Sequence, residues 1–328
     1  KIGLTALAGS LVAATAYAGD MSVTGSASMQ VEHVDGGAAN AGKAFSMGNQ
    51  LTFSGSGELD NGLNVSLSFV LDQGDDAKTT AIGSGTSTSQ GTSPFDSHSV
   101  TVSSDALGAI KFAGEGGANV QTAIDTTAAG DLWDSGFGIT VAQDPKTSAG
   151  GDNMLSYTLP TLMEGVALSA SYTPKGTGAA SSSAYAIAYT GVEGLTLNYA
   201  TGSDDSTAGS ESDTTTMKAS YAYGPITVSY SENEHDGAGT GANTDQEVTS
   251  YQVAYTVSDA ISISYGQEDI KTPDNASDED MDISGIVASY TAGGMTITGT
   301  MISADNTGHS TADTEDKDEW SIAASFAF

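Results

Sequence analysis

From Met21 onward, apolar and polar side chains alternate in segment after segment. A period of two belongs to strands whose two faces meet different surroundings. In Leu63-Asn64-Val65-Ser66-Leu67-Ser68-Phe69-Val70-Leu71 every odd position is apolar, and the even ones are polar until Val70. Leu195-Thr196-Leu197-Asn198-Tyr199 and Ile226-Thr227-Val228-Ser229-Tyr230 repeat the pattern. A helix needs apolar residues three and four apart, and these segments do not supply them. Sixteen such strands are predicted. They lie near 21–32, 48–58, 62–71, 98–103, 108–115, 152–159, 165–173 and 184–190, then near 194–201, 214–222, 225–232, 247–257, 260–266, 281–290, 294–302 and 318–328.

The connections alternate between short and long. Short ones carry turn residues, as in Asp60-Asn61-Gly62, Ser104-Asp105-Ala106-Leu107, Gly191-Val192-Glu193, Tyr223-Gly224-Pro225, Ser258-Asp259 and Ala292-Gly293. Longer acidic stretches rich in Gly, Ser and Thr lie around 33–47, 72–97, 116–151, 202–213, 233–246, 267–280 and 303–317. A transmembrane up-and-down antiparallel β-barrel, with short periplasmic turns and long external loops, requires this rhythm. An even strand number returns both ends to one side, where the first and last strands can pair and leave no open edge. The expected fold class is therefore all-β, as one barrel domain over 19–328.

Composition agrees. Only 38% of residues are apolar, too few for a large soluble core but suited to a barrel with lipid outside and water inside. No stretch after the first residues approaches the roughly 20 apolar residues of a membrane helix. Residues 1–18 read as a cleaved signal peptide: an apolar run from Ile2 to Ala14 precedes Ala16-Tyr17-Ala18, an A-x-A site. Cysteine is absent, which removes disulfides, thiolate metal sites and cysteine nucleophiles. Against 41 acidic residues stand 9 basic ones, all lysine, for a net charge of -32. Phosphate neutralisation needs basic surface, so a nucleic-acid partner is excluded.

The last segment, Trp320-Ser321-Ile322-Ala323-Ala324-Ser325-Phe326-Ala327-Phe328, alternates and stops on phenylalanine. Gly151-Asp152-Asn153-Met154-Leu155-Ser156-Tyr157-Thr158-Leu159-Pro160, with Glu164-Gly165-Val166 after it, and Leu59-Asp60-Asn61-Gly62-Leu63 form two further motifs. In these stretches the chain resembles the general diffusion porins of Gram-negative bacteria, of the acidic alphaproteobacterial type. The resemblance implies an outer-membrane, water-filled channel for ions and small hydrophilic solutes. It also implies a homotrimer in contact with membrane lipid and lipopolysaccharide. Phe328, Phe326 and Trp320 would carry the signal read by the barrel-assembly machinery. It further implies that the third external loop, here 116–150, folds inward as a constriction. One departure is plain: relatives carry an arginine cluster opposite that loop, and this chain has no arginine.

The loop holds Asp125, Asp131, Asp134 and Asp144, with Glu115 at its start. Carboxylates in a narrow low-dielectric channel concentrate cations and repel anions. Alternation places Lys111, between Ile110 and Phe112, and Lys218, between Met217 and Ala219, on the luminal face. Lys111 is the expected positive side of a weak transverse field, or a salt bridge from wall to loop. Elsewhere, carboxylates such as Asp204 with Asp205 and Asp278 with Asp280 are candidate Ca²⁺ or Mg²⁺ ligands, or else solvated loops held apart by repulsion. No other cofactor is expected. Two other classes share part of the signal. An acidic adhesin or S-layer-like protein shares the composition, and a barrel enzyme shares the architecture. The four histidines, His33, His98, His235 and His309, sit in no nucleophile or metal motif and are expected as exposed residues of loops and strand ends.

Overall fold

The structure, a computed structural model, describes residues 21–36, 42–72, 95–124, 126–130, 132, 145–174, 181–205, 211–239, 244–275, 278–311 and 316–328. Residues 1–18, expected as a signal peptide, lie outside the described residues. Sixteen strands form one closed antiparallel barrel in which each pairs with its sequence neighbours and the last returns to the first. They are β1 Met21–Asp35, β2 Gly42–Glu58, β3 Asn64–Asp72 and β4 Ser97–Ser104. Then come β5 Gly108–Glu115, β6 Met154–Thr158, β7 Val166–Thr173 and β8 Ser181–Tyr189. The second half holds β9 Leu195–Asp205, β10 Glu211–Tyr223, β11 Ile226–Asp236 and β12 Gln246–Ser258. It closes with β13 Ile261–Lys271, β14 Met281–Ala292, β15 Met295–Asp305 and β16 Lys317–Ala327.

Every expected strand is present, but several bounds move. β6 is shorter than the 152–159 expected for it, while β1, β2, β8 to β13, β15 and β16 extend outward beyond the alternating pattern. Stretches read as loops, such as 33–35, 202–205, 233–236 and 267–271, continue the ladder. Past the apolar belt the outer face turns polar, so the lipid-facing signal fades while the backbone pairing persists.

Outside, the belt is apolar and exposed: Leu197 is 40% exposed, Val253 49% and Ile286 47%. Burial of such side chains is favourable only in lipid, because water around them costs about 25 cal/mol per Å². The intervening residues are largely Ser, Thr, Ala and Gly and face the lumen. Turn chemistry sets the phase of β5. Gly108 has φ of 78°, and a Cβ there would stand 2.2 Å from the Thr158 carbonyl oxygen. Only glycine fits that left-handed, crowded position. At the seam, Gly25 and Phe328 exchange backbone hydrogen bonds of 2.6 and 2.9 Å, leaving no edge between β1 and β16.

The principal buried apolar cluster lies inside the barrel. Val248, Ile270, Met281, Ile283, Ile302 and Ala304 line one side of the lumen and pack around Ala129 and Leu132 of the 116–150 segment.

Candidate luminal site

The described residues of 116–150 run along the inner wall in two limbs. On the outward limb, the Val120 amide donates to Ser171 Oγ at 3.1 Å, and Gln121 Nε2 donates to Thr216 Oγ1 at 2.9 Å. Further along, the Ala129 amide reaches Ser250 Oγ at 2.9 Å, and the Leu132 amide reaches Glu268 Oε1 at 3.1 Å. These partners lie on β7, β10, β12 and β13, so the limb sweeps across the second half of the barrel. The return limb begins where the Lys146 amide donates to Gln246 Oε1 at 2.7 Å, and ends where the Ala149 amide donates to Asp204 Oδ2 at 2.7 Å. Gln121, fully buried, locks the limbs together by accepting the Ser148 amide at 2.7 Å. A buried amide with all its partners satisfied fixes one arrangement, since each broken bond leaves a costly orphan.

Close approach needs small residues on the wall. A Cβ on Gly266 would lie 2.6 Å from Ala129 Cβ, and one on Gly202 would lie 2.1 Å from Ser148 Oγ. Both glycines are therefore seats for the loop. Leu132 and its apolar neighbours add burial worth about 2 kcal/mol for a leucine-sized side chain. The sequence reading missed this seat, having expected polar luminal positions throughout.

The loop is also tied to the external side. Lys146 Nζ donates to the Thr244 carbonyl at 2.9 Å, while the Thr244 amide and hydroxyl donate to Asp274 Oδ2 at 2.8 and 3.0 Å. Burial pushes the Asp274 carboxyl up, but the hydrogen bonds from Thr244 and the Asp245 amide outweigh it and hold it below the usual carboxylate range.

The expected site residues separate. Lys111 is exposed and luminal: cross-strand register runs Lys111, Ser156, Ser171, and Ser171 touches the loop. Lys218 is luminal too, but its Nζ donates to the Thr127 carbonyl at 2.8 Å, which makes it a loop anchor. Glu115 does not share the luminal face of Lys111. The bulge between His98 and Ser99 shifts the register, and Glu115 stands 3.7 Å from His98 Nδ1. One extra residue reverses the facing of the residues after it. Asp125, Asp131, Asp134 and Asp144 lie outside the described residues.

The paired carboxylates are not brought together as ligands. Asp204 accepts from the loop, whereas Asp205, the next strand residue, faces the other way and accepts from Ser181 Oγ at 3.2 Å. Asp278 takes Asn275 Nδ2 and Thr272 Oγ1 on its two oxygens, at 2.8 and 3.0 Å, and Asp280 pairs with Lys271 at 3.1 Å. Among the described residues no three His, Cys, Asp or Glu side chains are placed to hold a metal ion. Of the histidines, His309 departs from expectation: it is only 9% exposed, with Nδ1 2.9 Å from the Glu279 carbonyl oxygen. Trp320 and Phe326 share the outer face of β16, and Phe328 follows the strand; Trp320 meets the His33 ring at 5.9 Å between centroids.

The lumen is lined by hydroxyls and carries an inserted loop along its wall. Comparison with known proteins agrees. The family described as Gram-negative porin matches residues 3–310. The fold is similar to that of a mutant porin from Rh. blastica, with 16% identity, a TM-score of 0.67, and coverage of 94% of this chain and 100% of that one. It is equally similar to an anion-selective porin from Comamonas acidovorans, with 16% identity, a TM-score of 0.68, and coverage of 94% and 99%. No curated protein matches the chain. With the family matched over nearly all of its length on a closed sixteen-stranded barrel, the chain belongs to the Gram-negative porins, non-enzymatic channel proteins of the outer membrane.

Proposed function

We propose that this porin is a cation-preferring diffusion pore for ions and small hydrophilic solutes, narrowed by the 116–150 loop. The observation that carries the reading is the hydrogen-bonded track of that loop along the inner wall from β7 to β13. The described parts of the loop are held on the β7–β13 side, while Lys111 of β5 stands exposed on the luminal face. The carboxylates Asp125, Asp131, Asp134 and Asp144 belong to this loop, and a net charge of -32 supports a negative field at the mouth. With Lys218 bonded to the loop and arginine absent, the positive wall is weaker than a guanidinium cluster would give.

Planar-bilayer recording tests both levels of the reading. Stepwise conductance with a reversal potential of cation-selective sign in a KCl gradient is expected. A reversal potential of anion-selective sign removes the preference, and absent conductance removes the pore. Assembly as a homotrimer, contact with lipopolysaccharide and recognition of the Phe328 end by the assembly machinery belong to the same reading and rest on family membership. Crosslinking in outer-membrane vesicles tests the trimer.

A further inference from the structure

The outer surface of β13–β16 and β1 holds a cavity of about 470 Å³ at the external edge of the apolar belt. Cross-strand register arranges its surroundings in rows. Nearest the bilayer centre run Tyr265, Ile286, Met301, Trp320 and His33, each the partner of the next. One step outward run Ser284, Ser303, Asp318 and Asp35. Beyond the cavity, a third row is Asp269, Asp282 and Asp305. Ser284 and Ser303 line the cavity on β14 and β15, between Tyr265 on β13 and Trp320 on β16.

This order along the barrel axis is apolar, then hydroxyl, then carboxylate. It matches an amphiphile standing in the outer leaflet with its chain on Ile286 and Met301 and its head outward. The charge selects the head group. Asp35 and Asp318 face one another directly across the β1–β16 seam, and like charges in register repel. One Asp35 oxygen accepts the Gly36 amide at 3.1 Å, and among the described residues the second oxygen has no hydrogen-bond partner. His33 Nδ1 is 2.7 Å from the Gly42 carbonyl oxygen, so that side of the ring is already bonded. Lys271 on the outer rim is held by Asp269 and Asp280 at 3.5 and 3.1 Å, and Lys43 borders the site only from β2, as the register partner of His33. A phosphate or sulfate head would meet carboxylates along its outer edge. An ammonium head would relieve the Asp35–Asp318 repulsion and present its charge to the Trp320 and Tyr265 rings.

We propose that this cavity is a lipid-side binding site for an amphiphile with an ammonium head group, one per chain. The site is independent of the pore reading.

Trp320 is its own reporter. The chain has two tryptophans, so Trp133→Phe leaves Trp320 alone. That protein, in neutral maltoside micelles, is titrated with a tail-brominated alkyltrimethylammonium and with a tail-brominated alkyl sulfate of equal length. Saturable quenching by the ammonium compound only is expected. Asp35→Asn with Asp318→Asn should raise the half-saturating concentration about fivefold. Equal quenching by both head groups, or no change in the double variant, overturns the site. Quenching in the monomer that disappears in the assembled oligomer also overturns it, because a second copy then covers the face. Bilayer conductance of the double variant is expected to match that of its parent, so a failed site and a failed pore give different results.

Discussion

Lys218 Nζ donates to the Thr127 carbonyl at 2.8 Å, so a lysine placed in the lumen by alternation serves the loop and not the permeating ion. Its methylene stem crosses from β10 to a backbone carbonyl whose residue is fully buried. Lys218→Met keeps the stem and removes the donor, at a cost of about 1.5–3 kcal/mol for a charge-assisted bond. Noisier open-channel current and a larger mean conductance are expected, with unchanged heat-modifiable migration on gels. Quiet current at the parent conductance would show that the anchor is dispensable.

Gly266 gives a complementary perturbation from the wall. Its Cβ would meet Ala129 Cβ at 2.6 Å, and neither partner has a flexible end that could turn aside. Gly266→Val should therefore displace the loop at a strain cost of about 1–3 kcal/mol while the ladder of β13 stays intact. Single-channel conductance should change although the folded fraction on gels does not.

Lys111 is exposed on the luminal face and carries the electrostatic test. At 4 Å two unit charges interact by about 1 kcal/mol in bulk water and about 4 at an effective dielectric near 20. Removing this charge by Lys111→Gln should raise the cation-to-anion permeability ratio several-fold at low salt, and less at high salt as screening shortens the field. Reversal potentials at several ionic strengths measure this, and invariance would remove Lys111 from the permeation path.

The external tie has an acid limit. The Asp274 carboxyl is held below its usual range, so its folded form binds its proton less readily than the unfolded chain does. The stabilisation is complete above the ordinary aspartate value of about 3.9 and is lost as pH falls through the lower folded value. Protection of the Thr244 amide against hydrogen exchange should therefore persist through mild acid and fail only beneath that range. Asp274→Asn should abolish this pH dependence.

The barrel could be read from residues such as Leu195-Thr196-Leu197-Asn198-Tyr199 because lipid and water impose opposite demands on neighbouring side chains. Above the membrane that contrast vanishes. Gln267, Glu268, Asp269, Ile270 and Lys271 therefore read as loop, although they continue β13. The luminal seat left a signal that was not used. In β12 to β15 the apolar residues change phase near the external end: Ile270 is out of step with Ile263 and Tyr265, and Ile302 with Ile297 and Met301. A phase change repeated in adjacent strands marks something packed inside. Glu115 escaped for another reason, since a bulge leaves no trace in an alternation count.

The Gly25–Phe328 seam joins β1 to the residue that follows β16. Nothing earlier in the chain can stand in for that partner, so the ring stays an open sheet with two unsatisfied borders until the last strand arrives. Contacts this distant along the chain close slowly, and exposed borders invite pairing with other chains. Maturation of this channel is accordingly a race between its own closure and capture by strangers, and the decisive step comes last.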